Sequence, residues 1–185
     1  RSASWQDAWH AQTKPLEEDL DDIRELLNDV EPELKGSAAA LASYRETATT
    51  ELNELTAQLT EESITVDQAL DGLSALRAEL TEKLDIFAQA QIEVYAENAE
   101  EKADMQSELK KSRYETRAYD GRSGTILDVL NPASMYWRVS GYHHGYSSGV
   151  SAVTASREAA SSSGGVSSGY SGGGSFSGAG GSSRF

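Results

Sequence analysis

Thr65-Val66-Asp67-Gln68-Ala69-Leu70-Asp71-Gly72-Leu73, continued by Leu80, Leu84, Phe87, Gln91 and Val94, is the stretch that decides the fold. Thr65 followed three residues later by Gln68 is a capping-box signature, in which each side chain satisfies a backbone amide that a helix start leaves without a partner. The apolar positions beyond it recur in steps of three, four and seven, so they lie on one helical face. A helix is therefore expected from Val66, with a seam that weakens through Asn98, Met105 and Leu109 as charged residues and Ala take over. Taken as one element to residue 118, it would reach roughly 80 Å at the α-helical rise of 1.5 Å per residue.

Working back toward the start of the chain, Leu16, Leu20, Ile23, Leu27, Val30 and Leu34 alternate steps of four and three. This is a heptad seam, and it requires a partner helix. Pro32 has no amide donor and should kink or break the helix near Val30. The pattern resumes at Leu41, Ala48, Leu52, Leu55 and Leu59. The connection at 61–65 is short enough to favour antiparallel neighbours. The expected fold class is all-α: residues 14–119 form an antiparallel helical hairpin or coiled-coil bundle, kinked near Pro32 and turning near 61–65. Residues 1–13 read as a separate short helix with Trp5 and Trp9 on one face, ended by Pro15 at the first turn of the next. The second arm is longer than the first can cover, which leaves self-association open.

Residues 120–146 read as a turn, a short helix and an aromatic segment, with Asn131-Pro132 breaking the apolar run Ile126 to Leu130 ahead of Tyr136, Trp137 and Tyr142. Three uses are open to those rings: closing the end of the bundle, lying against lipid, or stacking on a partner. Trp5 and Trp9 have two, docking on the bundle or an aromatic belt at a membrane boundary. Residues 147–185 read as a disordered Gly/Ser-rich tail, because twelve of the sixteen glycines follow residue 140 and little there offsets the entropy of ordering.

Charge is divided unevenly. After residue 122, Arg138, Arg157 and Arg184 outnumber Asp128 and Glu158 by one, so the total of −14 leaves −15 on residues 1–122. A body this acidic repels phosphate backbones, which argues against nucleic-acid binding. The absence of cysteine removes disulfide and thiolate chemistry. Glu17-Glu18-Asp19-Leu20-Asp21-Asp22 is the densest carboxylate cluster, yet it sits at a helix start without the Gly-bearing loop that wraps calcium, and reads as a solvated face. His10, His143 and His144 do not have zinc-ligand spacing. Gly121-Arg122-Ser123-Gly124 is a turn and not a phosphate loop. No catalytic, cofactor-binding or metal-ligating residue is assigned, and no cofactor is expected. No stretch approaches the roughly 18 apolar residues of a membrane span. Beginning at Arg1, the chain reads as a fragment or processed product.

The end of the chain, Ser171-Gly172-Gly173-Gly174-Ser175-Phe176-Ser177-Gly178-Ala179-Gly180-Gly181-Ser182-Ser183-Arg184-Phe185, following a helical region, resembles the C-terminal part of bacterial, especially actinobacterial, TPM-domain membrane proteins. The resemblance implies membrane association through an upstream segment not in this chain, on a side left open. The TPM domain itself, for which phosphatase-like or repair roles have been suggested, is not among these residues, and none of them inherits a catalytic role. The expected function is a non-enzymatic helical interaction or scaffold module, the soluble part of a membrane-associated protein, acting through protein partners or self-association. Two alternatives stand beside it: an accessory subunit docked on a membrane or envelope complex through residues 135–146, and a non-catalytic fragment of a TPM-type hydrolase.

Overall fold

The structure, a computed structural model, describes residues 4–119 and 136–165. They form α1 (Ser4–Leu26), a 3-10 turn (Pro32–Leu34), α2 (Lys35–Thr60), α3 (Val66–Tyr95), α4 (Ala99–Tyr119) and α5 (Val139–Gly165). Among the described residues there is no strand, and the chain is an all-α helical bundle.

The helices alternate in direction. Trp9 Nε1 donates to Thr56 Oγ1 at 2.9 Å and Arg45 Nε to the Leu20 carbonyl at 2.7 Å, which sets α1 antiparallel to α2. Tyr44 Oη donates to the Leu76 carbonyl at 2.6 Å, while Leu55 lies against Gly72, so α3 returns along α2 as expected. Gln106 on α4 donates to Gln89 at 2.9 Å and Arg113 to Asp85 at 2.6 Å, reversing direction again. α5 then runs back along α4 and parallel to α3. The result is two three-helix groupings that share α3. Its first part packs with α1 and α2, its last part with α4 and α5. The seam residues Leu16, Leu20, Ile23, Leu52, Leu59, Leu73, Leu80, Leu84 and Phe87 are buried, and Leu27, Val30 and Leu55 are half-buried against them.

The start of α3 follows its local code. Thr65 Oγ1 accepts from the Gln68 amide at 3.1 Å, and Gln68 Oε1 from the Thr65 amide at 2.9 Å. Three expectations are corrected. First, no helix ends at Thr13: α1 passes through Pro15. Trp9, Thr13, Leu16, Leu20 and Ile23 form one buried stripe in steps of four and three, unbroken in phase at the proline, so packing holds both halves in line. Second, the long helix stops at Tyr95. Asn98 Oδ1 accepts from the Glu101 amide at 2.9 Å and Glu101 Oε1 from the Glu97 amide at 2.8 Å, which caps a new helix.

Third, residues 139–165, divided in the sequence reading between an aromatic segment and a disordered tail, are a 27-residue helix. The part of the expected tail beyond 165, and residues 120–135, lie outside the described residues. The glycines explain α5. A methyl group placed on Gly149 would come within 3.2 Å of the Met105 Cα, and one on Gly145 within 2.4 Å of Ser112 Oγ and 2.7 Å of Ser112 Cβ. Small residues four apart thus let the α4 and α5 backbones approach closely, and the contact outweighs the poor helix propensity of Gly.

Gly145→Ala should therefore destabilise despite improving that propensity. Overpacking costs about 1–3 kcal/mol, against about 1 kcal/mol gained from replacing Gly. Adding Ser112→Gly should return most of the loss. At Gly36, where nothing lies within 4 Å of the added carbon, Ala should stabilise by about 0.5–1 kcal/mol. Urea unfolding followed by far-ultraviolet circular dichroism measures all three.

Candidate functional site

Asp19 is the centre of the described molecule's buried polar chemistry. It falls between Leu16 and Ile23 on the inward stripe of α1 and is wholly inaccessible to solvent. Its carboxylate receives the Tyr136 hydroxyl, Arg138 Nε at 3.0 Å to both oxygens, and the Val139 amide at 3.1 Å. That amide opens α5, so Asp19 serves as an N-terminal cap supplied by another helix, with its charge at the favourable end of the dipole. Arg138 extends to Glu18 Oε2 at 3.2 Å. The Tyr136 ring lies between two guanidiniums, 5.2 Å from Arg77 and 5.9 Å from Arg138. Burial pushes the Asp19 carboxyl above its ordinary range while Tyr136, Arg138 and the Val139 amide pull it down. Burial, then the Asp19 charge, raises the Tyr136 phenol, so it remains a donor.

The acidic run is thus not wholly a solvated face. Glu17, Glu18 and Asp21 are exposed as expected, but Asp19 is a structural anion. Nor are the rings at 136–142 offered outward. Tyr136, Trp137 and Tyr142 are buried, Trp9 is buried against α2, and Trp5 is half-buried. Trp137 packs edge-on to Tyr142 at 5.5 Å, with Arg113 4.5 Å over its face. Tyr142 meets Phe87 edge-on at 6.2 Å and donates its hydroxyl to Gln91, the one polar member of the predicted α3 seam. Of the uses foreseen for these rings, packing against the bundle is the one the fold makes of them.

A second polar tie joins the far ends of α3, α4 and α5. Arg157 grips Glu101 through Nε at 2.8 Å and Nη2 at 2.7 Å, donates to the Tyr95 carbonyl at 2.9 Å, and stacks 4.7 Å over the Tyr95 ring. The hydrogen bond from Arg157, then that from the Glu97 amide, lowers the Glu101 carboxyl to about 2. Because the folded value lies below the ordinary 4.5, this tie contributes fully above about pH 4.5 and is lost as the pH falls toward about 2. Asp19 behaves oppositely. Its contribution is greatest below the ordinary carboxyl range and declines as the pH rises through its raised pKa. Acidification should therefore weaken the Arg157 end first. The Arg157 Nε–H resonance should lose its protection between pH 4.5 and 2, and Glu101→Gln should flatten the acid limb of a stability-versus-pH curve.

Beside these ties lies an open cleft of about 390 Å³, where the connection after α1 faces α3 and α5. Leu26, Val30, Leu34 and Val94 form its apolar walls and Asp29 and Glu31 its acidic rim. Among the described residues no group of three or more His, Asp or Glu is placed to hold a metal ion. His143 and His144 are both exposed.

The chain's first part has a family counterpart. Residues 1–73 are similar to a family described as a domain of unknown function, DUF5129. The similar stretch covers α1, the 3-10 turn, α2 and the start of α3. It includes Asp19 but not Tyr136, Arg138 or α5. No curated protein and no solved structure matches the chain.

Proposed function

We propose that this chain is a non-enzymatic helical interaction module, the soluble part of a membrane-associated bacterial protein. The observation that carries the reading is an apolar stripe left on an acidic surface. On α3, Ile86 is 48% and Val94 41% exposed, with half-buried Ala90 between them. Residues four apart share a helix face, so these three offer one continuous strip to another protein. The charged and hydroxyl groups of the two ties, Asp19 with Tyr136 and Arg138, and Glu101 with Arg157, are engaged in holding helices together. That supports a role in presenting a surface over one in turning over a substrate.

Attachment to a membrane rests on the likeness of the Gly-rich end to TPM-domain proteins. No described helix is long and apolar enough to cross a membrane; by the same likeness the anchor lies in an upstream segment not in this chain. The coiled-coil description of the seams, and self-association through them, belong to the same proposal. Co-purification from detergent-solubilised membranes tests it. A partner retained by the native protein and lost from Ile86→Glu, with circular dichroism unchanged, supports the module. Equal recovery from both proteins sinks it.

A further inference from the structure

We infer that the cleft beside Glu31 is a docking site for a segment that carries an arginine next to an aromatic residue, and that its occupant is this chain's own Arg184-Phe185. The cleft adjoins the α3 stripe invoked for a partner and shares only Val94 with it; Ile86 and Ala90 lie outside it.

The cleft combines an apolar floor with unneutralised negative charge. Of its apolar lining, Leu34 and Phe87 are buried, while Val94 is exposed. Asp29 and Glu31 are exposed on its rim, and neither forms an ion pair among the described residues. Tyr146 also lines the cleft, half-buried, and its phenol is raised first by burial and then by the charge of Glu31, a neighbour in the same lining. Among the described residues no Lys or Arg lines the cleft. A matching occupant needs an apolar side chain for the floor and a cation for the rim. Arginine is favoured because its planar fork can pair with a carboxylate through two hydrogen bonds.

Residues 166–185 meet both requirements. Fourteen of these twenty residues are Gly or Ser, the only charged one is Arg184, and Phe185 adjoins it. That single cation faces a body with −15 on residues 1–122, so approach is electrostatically favoured. The reach also fits. From Tyr146 to Gly165, α5 extends roughly 28 Å at 1.5 Å per residue. A Gly/Ser-rich chain of this length has a root-mean-square span of roughly 22–27 Å. A linker whose span matches the separation gives the highest effective concentration at the site, on the order of millimolar. A weak contact of one ring and one ion pair is then enough for occupancy. The sequence Arg-Phe thus gains a use that the Gly/Ser composition around it does not supply.

The chain has no cysteine, so Ser182→Cys gives a unique position for a nitroxide spin label on residues 1–185. At low salt, the label should at least halve the amide signals of Val30, Val94 and Tyr146 while sparing Thr50 on the outer face of α2. Arg184→Glu with Phe185→Ser should restore those signals, and 0.5 M NaCl should restore part of them. Uniform signals across the body, or broadening that survives the double substitution, would overturn the assignment. So would broadening of an isotope-labelled chain mixed with a spin-labelled unlabelled one, because the occupant would then be a second copy. If the assignment fails while Ile86→Glu still abolishes co-purification, the tail is wrong and the interaction module stands.

Discussion

Asp19→Ala should cost about 3–5 kcal/mol of stability, the loss expected when one member of a buried, hydrogen-bonded ion pair is removed and the other is left behind. The side chain is fully inaccessible, and its removal strands three donors at once: the Tyr136 hydroxyl, the Arg138 guanidinium and the Val139 amide that opens α5. The Arg138 side chain retains 16% of its exposure, so water cannot readily replace the lost carboxylate. Glu18 remains at 3.2 Å but is itself half exposed and reaches only Nη2. Asp19→Asn should lose less, since an amide oxygen still accepts from Tyr136 or the backbone while the charge is gone. Asp19→Leu combined with Tyr136→Phe and Arg138→Met should recover much of the loss, because it removes two of the three stranded donors and leaves only the Val139 amide without its acceptor. Chemical denaturation of these variants, with an Asp19/Arg138 double-mutant cycle, measures the effect. A coupling below about 0.5 kcal/mol would mean that the pair does not dock α5.

How much of this the sequence disclosed depends on how far the deciding interaction reaches. The start of α3 was legible because Thr65 and Gln68 settle it between themselves. The break before α4 had an equally local signal, Asn98 followed three residues later by Glu101, which the fading apolar pattern obscured. Asp19 could be suspected, since it keeps phase with Leu16 and Ile23 on the buried face. Its partner could not, because Arg138 lies 119 residues away and no periodicity connects them. Pro15 and the α5 glycines misled for one reason: each is unfavourable to an isolated helix, and each is overruled by packing against a neighbour. At Gly145 and Gly149 the missing side chain is what permits the packing. The spacing of those glycines, with Tyr142, Tyr146 and Val153 interleaved, was the available sign of a helix with a close neighbour.

Trp137→Ala should lose about 3–5 kcal/mol, the range for truncating a buried large aromatic residue. This result separates closing the bundle from the two outward uses, against lipid or a partner, that the sequence leaves open to the ring. A ring held out for lipid or a partner could be cut to Ala with a change within about 0.5 kcal/mol, as for most exposed positions. Trp137 is instead 1% exposed, with Arg113 above one face and Tyr142 against its edge. Its removal would also uncover Tyr142 and Phe87, the rings that join α3 to α5. Among the described residues the indole Nε1 has no hydrogen-bond partner, which makes Trp137→Phe the informative companion. Phe retains an aromatic face for Arg113 and removes a buried donor whose desolvation is uncompensated, a cost of about 1–3 kcal/mol in the native protein. That relief offsets part of the lost volume, so Phe should cost on the order of 1 kcal/mol, well below Ala. Equal losses for Phe and Ala would show that the indole nitrogen is satisfied in solution. Two near-neutral variants would place the ring outside the core and return it to the role of a contact surface.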